Sequence, residues 1–580
     1  MTPPLLELID HRLRESLRAE WERRRHERPE GLPRGVPVVL VGQRVAGKTT
    51  LLPHVATLLG RKGIDLDAEL ARESGRPLRE WFSADERGFR EAERATFTRL
   101  RATYGVISCG GGFLSLHASL LRGCIAVEVP ISFDTYSERL RADQSRPRLR
   151  PEVSLAEEIR EVYAERERRH AIERPMQFVE FLLRVERGMR ARRVVTLPPN
   201  EAIEPFAWRA RHEGADLLEV RTDLHPPQLE LSGAARALPL LIAERGTPIP
   251  PQWSGHEEDR GWSGGTLTSH HAPKPLSTNE TLALWQSVAA TRIKHVEPLG
   301  SLDSAVRLFE TQARLIDRFG EGNVTVLATG PLALPFRALL ARRNALDYLS
   351  LDSSWRAAEG QRLLADAVRE SRAWYVHLGR LGILGSAVAH SRSPRLHAQP
   401  FDRIELPADT DVAALVNALR PHYRGFAVTN PFKQRFTSSA VNTLIRDEAS
   451  GWRYENTDVE GARSTWEALG KPARLTVLGD GGVTAAVRSL SVELDVRKRA
   501  DVTNTPIAGA VIWTWPSSVT PPEPLRFEPN TKVAVIAYGP HAHVIAKEIT
   551  ARGGIPLRLG ARWFIAQARR QRELWESASP

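Results

Sequence analysis

Cysteine is nearly missing from this 580-residue sequence, and long apolar runs are missing altogether. Two cysteines, Cys109 and Cys124, cannot build a disulfide framework or a cysteine metal site, and their scarcity fits a reducing compartment. No apolar run approaches the ~18 residues needed to span a bilayer. The opening MTPPLLELIDHRLRES breaks its apolar residues with charges. A cytoplasmic protein without membrane contact is therefore expected. Low-complexity segments are lacking too. With 42% apolar and 26% charged residues the chain can form real cores, which excludes a disordered chain. At roughly 150 residues per domain the length allows three to five domains. Subtracting 70 acidic from 81 basic residues leaves +11, mostly arginine, which suits phosphorylated and carboxylated ligands as well as nucleic acid.

Residues 4 to about 28 place Leu6, Ile9, Leu13 and Leu17 at helical spacing and predict a charged helix, closed by GLPRGVP at 31–37. Its apolar stripe requires a partner surface, on the same chain or on a second copy in a homodimer. Arg23, Arg24 and Arg25 read as a solvated face, so nucleic acid is not expected as a partner. From Val36 onward VPVVLVG, YGVISCG and CIAVEVP alternate with amphipathic stretches, the pattern of a parallel α/β fold. A second series near Arg193 (VVTL, LLEVR, PLLIAER, TLTSH, RIKHV, VTVLAT, DYLSLD) gives seven candidate strands and suggests an incomplete barrel. A third series starts with LGILGS at 381 and contains the strand-turn-helix LTVLGDGGVTAAVRSL at 475–490. Expected domains are 1–34, 35–188, 189–375 and 376–580.

GQRVAGKT at 42–49 matches G-x-x-x-x-G-K-[ST] between a hydrophobic strand and a helix. Gly42 and Gly47 let backbone N–H groups approach phosphate oxygens, Lys48 supplies positive charge, the Thr49 hydroxyl can ligate Mg²⁺, and Thr50 completes the cradle. Asp65-Leu66-Asp67 follows, its alternating carboxylates expected on one side of a strand end. One would hold metal-bound water and the other receive a hydroxyl proton. Phe89-Arg90 with Glu93, the glycines Gly110, Gly111 and Gly112, Arg146 in RPRL, and Arg166 on an arginine-rich helix complete the series.

Together these motifs resemble shikimate kinase over about residues 36–185. The resemblance implies ATP and Mg²⁺, Asp67 as catalytic base and shikimate ligand, and Asp65 near the metal. It further implies Arg90 and Arg166 on the substrate carboxylate, Gly110, Gly111 and Gly112 against the ring, and Arg146 in a lid over ATP. Val45 stands where the loop usually has glycine, and His170 where tyrosine is common.

In the middle third, LLEVRTD supplies Glu219, Arg221 and Asp223, Arg245 closes the next strand, and His271 and Lys294 end strand-like segments. This series resembles type I dehydroquinase. By that resemblance Lys294 forms an imine with 3-dehydroquinate, His271 (rather than His270) moves protons, Glu219, Arg221 and Arg245 line the substrate site, Arg337 takes the substrate carboxylate and Gln361 lies on a loop over it. The stretch PIPPQWSGHEEDRGWSGG replaces a strand and a helix, the acidic group that follows the Arg245 position is missing, and Ala357 replaces a serine. A shortened barrel with weakened or lost dehydratase activity is expected.

HSRSP at 390–394, GFAVTNPFK ending at Lys433, AVNT with Asn442 and YENTDVEG with Asp458 resemble shikimate dehydrogenase over about 380–577. By the resemblance Ser391 and Ser393 hold the substrate carboxylate, Lys433 and Asp458 form the catalytic pair, and Asn442 with Gln567 binds ring hydroxyls of 3-dehydroshikimate. The turn with Gly479, Gly481 and Gly482 suits a pyrophosphate, and Arg499 a 2′-phosphate, which implies NADP(H). The next unit is shortened and Ala537 replaces an acid.

The expected fold is α/β throughout: a P-loop kinase domain, a shortened (β/α) barrel, and a two-lobed α/β dehydrogenase with a trimmed Rossmann lobe. This domain order resembles the last three domains of the pentafunctional arom polypeptide and the quinate-pathway repressor derived from it. Two functions follow: a multifunctional shikimate-pathway enzyme, or a ligand-sensing regulator without catalysis. Retention of Lys48, Asp67, His271, Lys294, Lys433 and Asp458 favours the enzyme, with the kinase foremost.

Overall fold

A computed structural model describes residues 4–27, 29–143, 148–262, 264–372, 379–397 and 399–578. At the amino terminus a 3-10 turn, Pro4–Leu8, precedes helix α1 (His11–Arg24). The single helix expected from residue 4 is interrupted because Asp10 caps α1 by accepting from Arg12 N. The same carboxylate takes hydrogen bonds from Ser132 N (2.8 Å), Ser132 Oγ (2.6 Å) and Thr135 Oγ1 (2.8 Å). Leu5, Leu6, Ile9 and Trp21 are buried in the core of the first domain. The stripe's partner is the chain itself.

The first sheet is parallel. Strands β1 (Val38–Val41), β2 (Gly63–Asp65), β3 (Val106–Ser108) and β4 (Ile125–Glu128) lie in the order β2-β3-β1-β4. All four residues of β1 are buried, as a central parallel strand covered on both faces requires. Helices α2 (Lys48–Leu58), α3 (Leu66–Ser74), α4 (Glu86–Leu100) and α5 (Leu155–Glu173) flank it.

The second sheet has nine strands, β5 (Arg192–Thr196), β6 (Leu217–Arg221), β7 (Leu240–Ala243), β8 (Glu257–Arg260), β9 (Leu267–His271), β10 (Ile293–Pro298), β11 (Val324–Thr329), β12 (Leu346–Ser350) and β13 (Arg362–Leu363), in the order β11-β10-β9-β8-β7-β6-β5-β12-β13. The sheet curls until β11 meets the start of β12, where Ala345 N donates to Val324 O (2.7 Å) and the Asn344 side chain bridges Val326 N and O. Strand β8 was not legible in the sequence. It lies inside the Pro/Gly/Trp-rich stretch and pairs in parallel with β7 and β9. The shortening removes helices: among the described residues between β7 and β9, the 3-10 turn Pro251–Trp253 is the one helical piece beside β8.

The third region holds two sheets. In one, β14 (Arg380–Gly385), β15 (Phe401–Glu405), β16 (Tyr423–Val428), β17 (Thr443–Asp447) and β18 (Gly451–Glu455) order as β15-β14-β16-β17-β18. In the other, β19 (Arg474–Leu478), β20 (Glu493–Arg497), β21 (Ala510–Trp513), β22 (Lys532–Val535) and β23 (Ile555–Arg558) order as β20-β19-β21-β22-β23, all parallel. This is a Rossmann-like sheet in which the 3-10 turn Arg499–Asp501 stands where a helix would follow β20. No helix among the described residues is long and apolar enough to cross a membrane.

Candidate functional site

The first site forms at the carboxyl ends of β1, β2 and β3. After β1 the chain turns through Gly42 (φ 132°), where a Cβ would lie 2.7 Å from Val129 O, so only glycine fits. Lys48 Nζ donates to Gly42 O (3.0 Å) and Gln43 O (2.7 Å), folding the loop around its own cation. Val45 adopts φ 55°, the left-handed region that a β-branched residue disfavours. Thr49 and Thr50 are exposed at the head of α2.

Asp65 and Asp67 do not share one strand face. Asp65 ends β2, caps α3 through Ala68 N and accepts from Thr49 Oγ1 at 2.7 Å, so a hydroxyl and a carboxylate stand side by side as a hard-cation ligand pair. Asp67 lies in the first turn of α3 and faces Gly110, whose Cβ would be 3.0 Å from Asp67 Oδ1. The helix start rotates the two carboxylates apart.

Beside them lies a cavity of about 390 Å³, lined among others by Asp67, Arg90, Gly110, Gly111, Gly112 and Arg166. Arg90 donates to Glu93 Oε2 (3.0 Å) and stacks over Phe82 and Phe89. Arg166 is 9% exposed, its Nη1 is buried without a hydrogen-bond partner, and a Cβ on Gly111 would lie 3.0 Å from that atom. Burial brings the Arg166 guanidinium down to about 10. A buried cation aimed at a glycine-lined cavity is an anion receptor. Arg146 lies outside the described residues.

In the barrel, the period of two places Glu219 and Arg221 of β6, His271 of β9, Lys294 of β10 and Tyr348 of β12 on inward-facing positions. His270 points the other way, stacked between His295 (5.5 Å) and Trp262 (5.1 Å), which supports His271 as the inward residue. Lys294 Nζ lies 4.2 Å from the centre of the Tyr348 ring and donates to Asp259 Oδ2 at 2.6 Å; Arg245 Nη2 donates to the same oxygen at 2.6 Å. The carboxylate missing after Arg245 in sequence is thus supplied by β8. Burial would raise Asp259, but Lys294 and Arg245 outweigh it and hold the carboxyl at about 2. Loss of hydration inside the barrel first, then the charges of Lys294 and Arg245, push His271 down to about 3.

Glu219 accepts from Thr196 Oγ1 (2.5 Å), and Arg221 pairs with Asp223 (2.6 Å). Arg337, on α6 (Ala333–Leu340), does not reach open space: it is 2% exposed and donates to Tyr348 O at 2.9 Å. Gln361 is buried, and its Oε1 accepts from Ala357 N at 2.8 Å.

In the third region Lys433 Nζ donates to Asp458 Oδ2 at 2.6 Å, and Asp458 opens α7 (Asp458–Ala468). Ser391 and Ser393 are buried with their hydroxyls 3.3 Å apart. Asn442 Oδ1 accepts from Thr457 N and Thr443 Oγ1, both 2.8 Å, which leaves its buried Nδ2 without a partner. After β19, Gly479 (φ 121°) and Gly481 lead into α8 (Gly482–Arg488). A Cβ at Gly482 would lie 3.5 Å from Lys433 Cδ, so turn and pair share one cleft. Nothing lies within 4 Å of a Cβ on Gly481, and Arg499 is exposed beyond β20; these residues fit a dinucleotide phosphate. Asp480 in the turn draws Arg488 (3.2 Å) and Lys498 (3.4 Å). Gln567, on α9 (Gly560–Ser577), is half-buried one turn before Gln571, which donates to Thr443 Oγ1 at 3.0 Å.

The family described as shikimate kinase matches residues 44–175. The shikimate kinase of Neisseria gonorrhoeae is 35% identical over 135 residues, covering 22% of this chain and 79% of its own length. The chain belongs to the shikimate kinase family. The pentafunctional AROM polypeptide of Candida tropicalis is 22% identical over 562 residues, 77% of this chain but 35% of that polypeptide, so the chain spans about a third of that relative's length. Among solved structures, the dehydroquinate dehydratase and shikimate dehydrogenase of S. pombe AroM is 19% identical, with 67% of this chain and 95% of that one covered and a TM-score of 0.26. Within the shikimate kinase segment the cavity also takes in two arginines that the sequence does not mark, Arg44 and Arg79, beside the apolar Pro77, Leu78 and Phe82. Arg44 occupies a variable position of the phosphate loop, where the motif places no demand on residue type.

Proposed function

We propose that the chain is a multifunctional enzyme of the shikimate pathway, acting in the cytosol on small molecules, whose foremost reaction is transfer of the γ-phosphoryl group of ATP to a hydroxyl of shikimate. The observation that carries this reading is Arg166: a buried guanidinium with an unpartnered Nη1 above the Gly110, Gly111 and Gly112 backbone, in the same cavity as Asp67. Arg166 and Arg90 would hold the substrate carboxylate at one end, and Asp67 at the other would accept the proton of the attacking hydroxyl. Lys48, once it releases the loop carbonyls, neutralises charge on the phosphates. Mg²⁺ held by Thr49 and Asp65 would add charge neutralisation between the phosphates.

For the carboxyl-terminal region we propose reduction of 3-dehydroshikimate with NADP(H). Ser391 and Ser393 would take the carboxylate, the free Nδ2 of Asn442 a ring hydroxyl, with Gln567 beside it, and Lys433 would donate a proton to the alkoxide while Asp458 orients it. The Gly481 turn and Arg499 would hold NADPH, which would supply the hydride. In the barrel, Lys294 and His271 are proposed for imine and proton-transfer chemistry on 3-dehydroquinate. The enclosed Arg337 and Gln361 support weak turnover there. The domain limits 34, 188 and 375 remain part of this proposal.

The test is to assay purified chain separately for the three reactions. ADP release dependent on shikimate and abolished by Lys48→Ala is expected, as is NADPH oxidation lowered by orders of magnitude in Lys433→Ala. Binding of MgATP and shikimate without ADP release would replace the kinase reading by that of a ligand-sensing regulator.

A further inference from the structure

Around Lys294 Nζ the barrel gathers five charged or titratable groups from five places: Asp259 on β8, Arg245 after β7, Glu219 on β6, His271 on β9 and Tyr348 on β12. Asp259 is fully buried, and its Oδ2 is shared by Lys294 and Arg245 at 2.6 Å each. Burying a carboxylate this deeply is costly unless cations meet it. A four-residue strand stands in a stretch without helices, and of its two inward residues, Glu257 and Asp259, the second engages Lys294.

We propose that Asp259 is the positioning residue of the barrel site: its carboxylate holds the Lys294 amine over the Tyr348 face and governs when that amine is free to add to a ketone. The inference rests on reading the barrel as an imine-forming site. Imine formation joins the neutral amine nitrogen to the carbonyl carbon and expels the carbonyl oxygen as water, the ammonium proton having first passed to solvent. An adjacent anion favours the ammonium form, so Asp259 delays deprotonation while fixing the direction of attack. Arg245 competes for the same oxygen and opposes the ammonium by its own charge.

The experiment is reductive methylation of the full chain with formaldehyde and cyanoborohydride across pH, with the extent at each of the nine lysines read by peptide mass spectrometry. Asp259→Asn should move the Lys294 profile to lower pH by about one unit, which makes methylation at neutral pH about tenfold faster, and Asp259→Glu should restore the wild-type midpoint. The profile of Lys433 should not move. If Asp259→Asn fails to fold, Arg245→Gln serves instead: with the competing cation gone, the Lys294 midpoint should rise. An unchanged Lys294 midpoint in either folded variant overturns the proposal. A parallel arm with 3-dehydroquinate and borohydride reports on the imine-site reading alone, since formaldehyde requires no substrate recognition.

Discussion

Replacing Arg166 by methionine separates ligand recognition from stability. The guanidinium is 9% exposed, and burial brings it from 12.5 to about 10. At ~1.4 kcal/mol per pH unit this corresponds to about 3 kcal/mol by which the folded state disfavours the cation. A base whose folded value is lowered incurs that cost in full at neutral pH and is relieved of it only as pH rises through about 10. Methionine keeps most of the apolar stem and removes the charge, so the variant should be more stable than the parent by about 1–3 kcal/mol once lost packing is subtracted. For a domain of this size that is a melting rise of roughly 2–4 °C per kcal/mol. If Arg166 holds the substrate carboxylate as proposed, the same change removes charge-assisted hydrogen bonds worth about 1.5–3 kcal/mol, so KM for shikimate should rise about 10- to 100-fold. Because the carboxylate is held alike in ground and transition states, kcat should stay within about twofold. Coupled ADP release and scanning calorimetry measure both effects. An unchanged KM together with a lower melting temperature would show that Arg166 is a structural cation and not an anion receptor.

Asp10→Ala should cost about 2 kcal/mol, since it removes the cap of α1 and leaves Ser132 and Thr135 without their acceptor; proteolysis at the amino terminus would report the loosened helix. Hydrogen bonds from Ser132 and Thr135, against the opposing effect of burial, hold the Asp10 carboxyl at about 2. Its contribution is therefore complete above about pH 4 and lost as pH falls through 2, which acid titration of unfolding would show. Val45→Gly relieves a left-handed β-branched residue and should raise thermal stability by about 1 kcal/mol; a loss instead would mean that the contacts of the Val45 side chain with the core outweigh its backbone strain.

Much of the kinase site could be read from sequence because its demands are local. The loop from Gly42 to Thr49 must turn sharply and then open a helix, and those two requirements fix glycine, lysine and threonine at set spacing. Lys433 and Asp458 were equally legible, since they stand in recognisable stretches and meet at 2.6 Å. Asp65 and Asp67 are legible as residues but not as a geometry: strand alternation predicts one shared side, whereas the helix begins between them. Asp259 shows what sequence alone could not reach. EEDR has no alternation of apolar residues and stands among prolines, glycines and tryptophans, so nothing local marks it as a strand. Its backbone is extended because β7 and β9 supply hydrogen bonds on both sides, and its carboxylate matters because Lys294, 35 positions later, arrives at the same interior layer. Arg337 and Gln361 are closed off from nearer by: Arg337 donates to Tyr348 O eleven residues on, and Gln361 accepts from Ala357 N four residues back. Sequence determined the residues whose backbone chemistry is constrained within a turn or two; partners brought together across the sheet were decided by tertiary packing, because hydrogen bonding and burial there depend on segments that share no local signal.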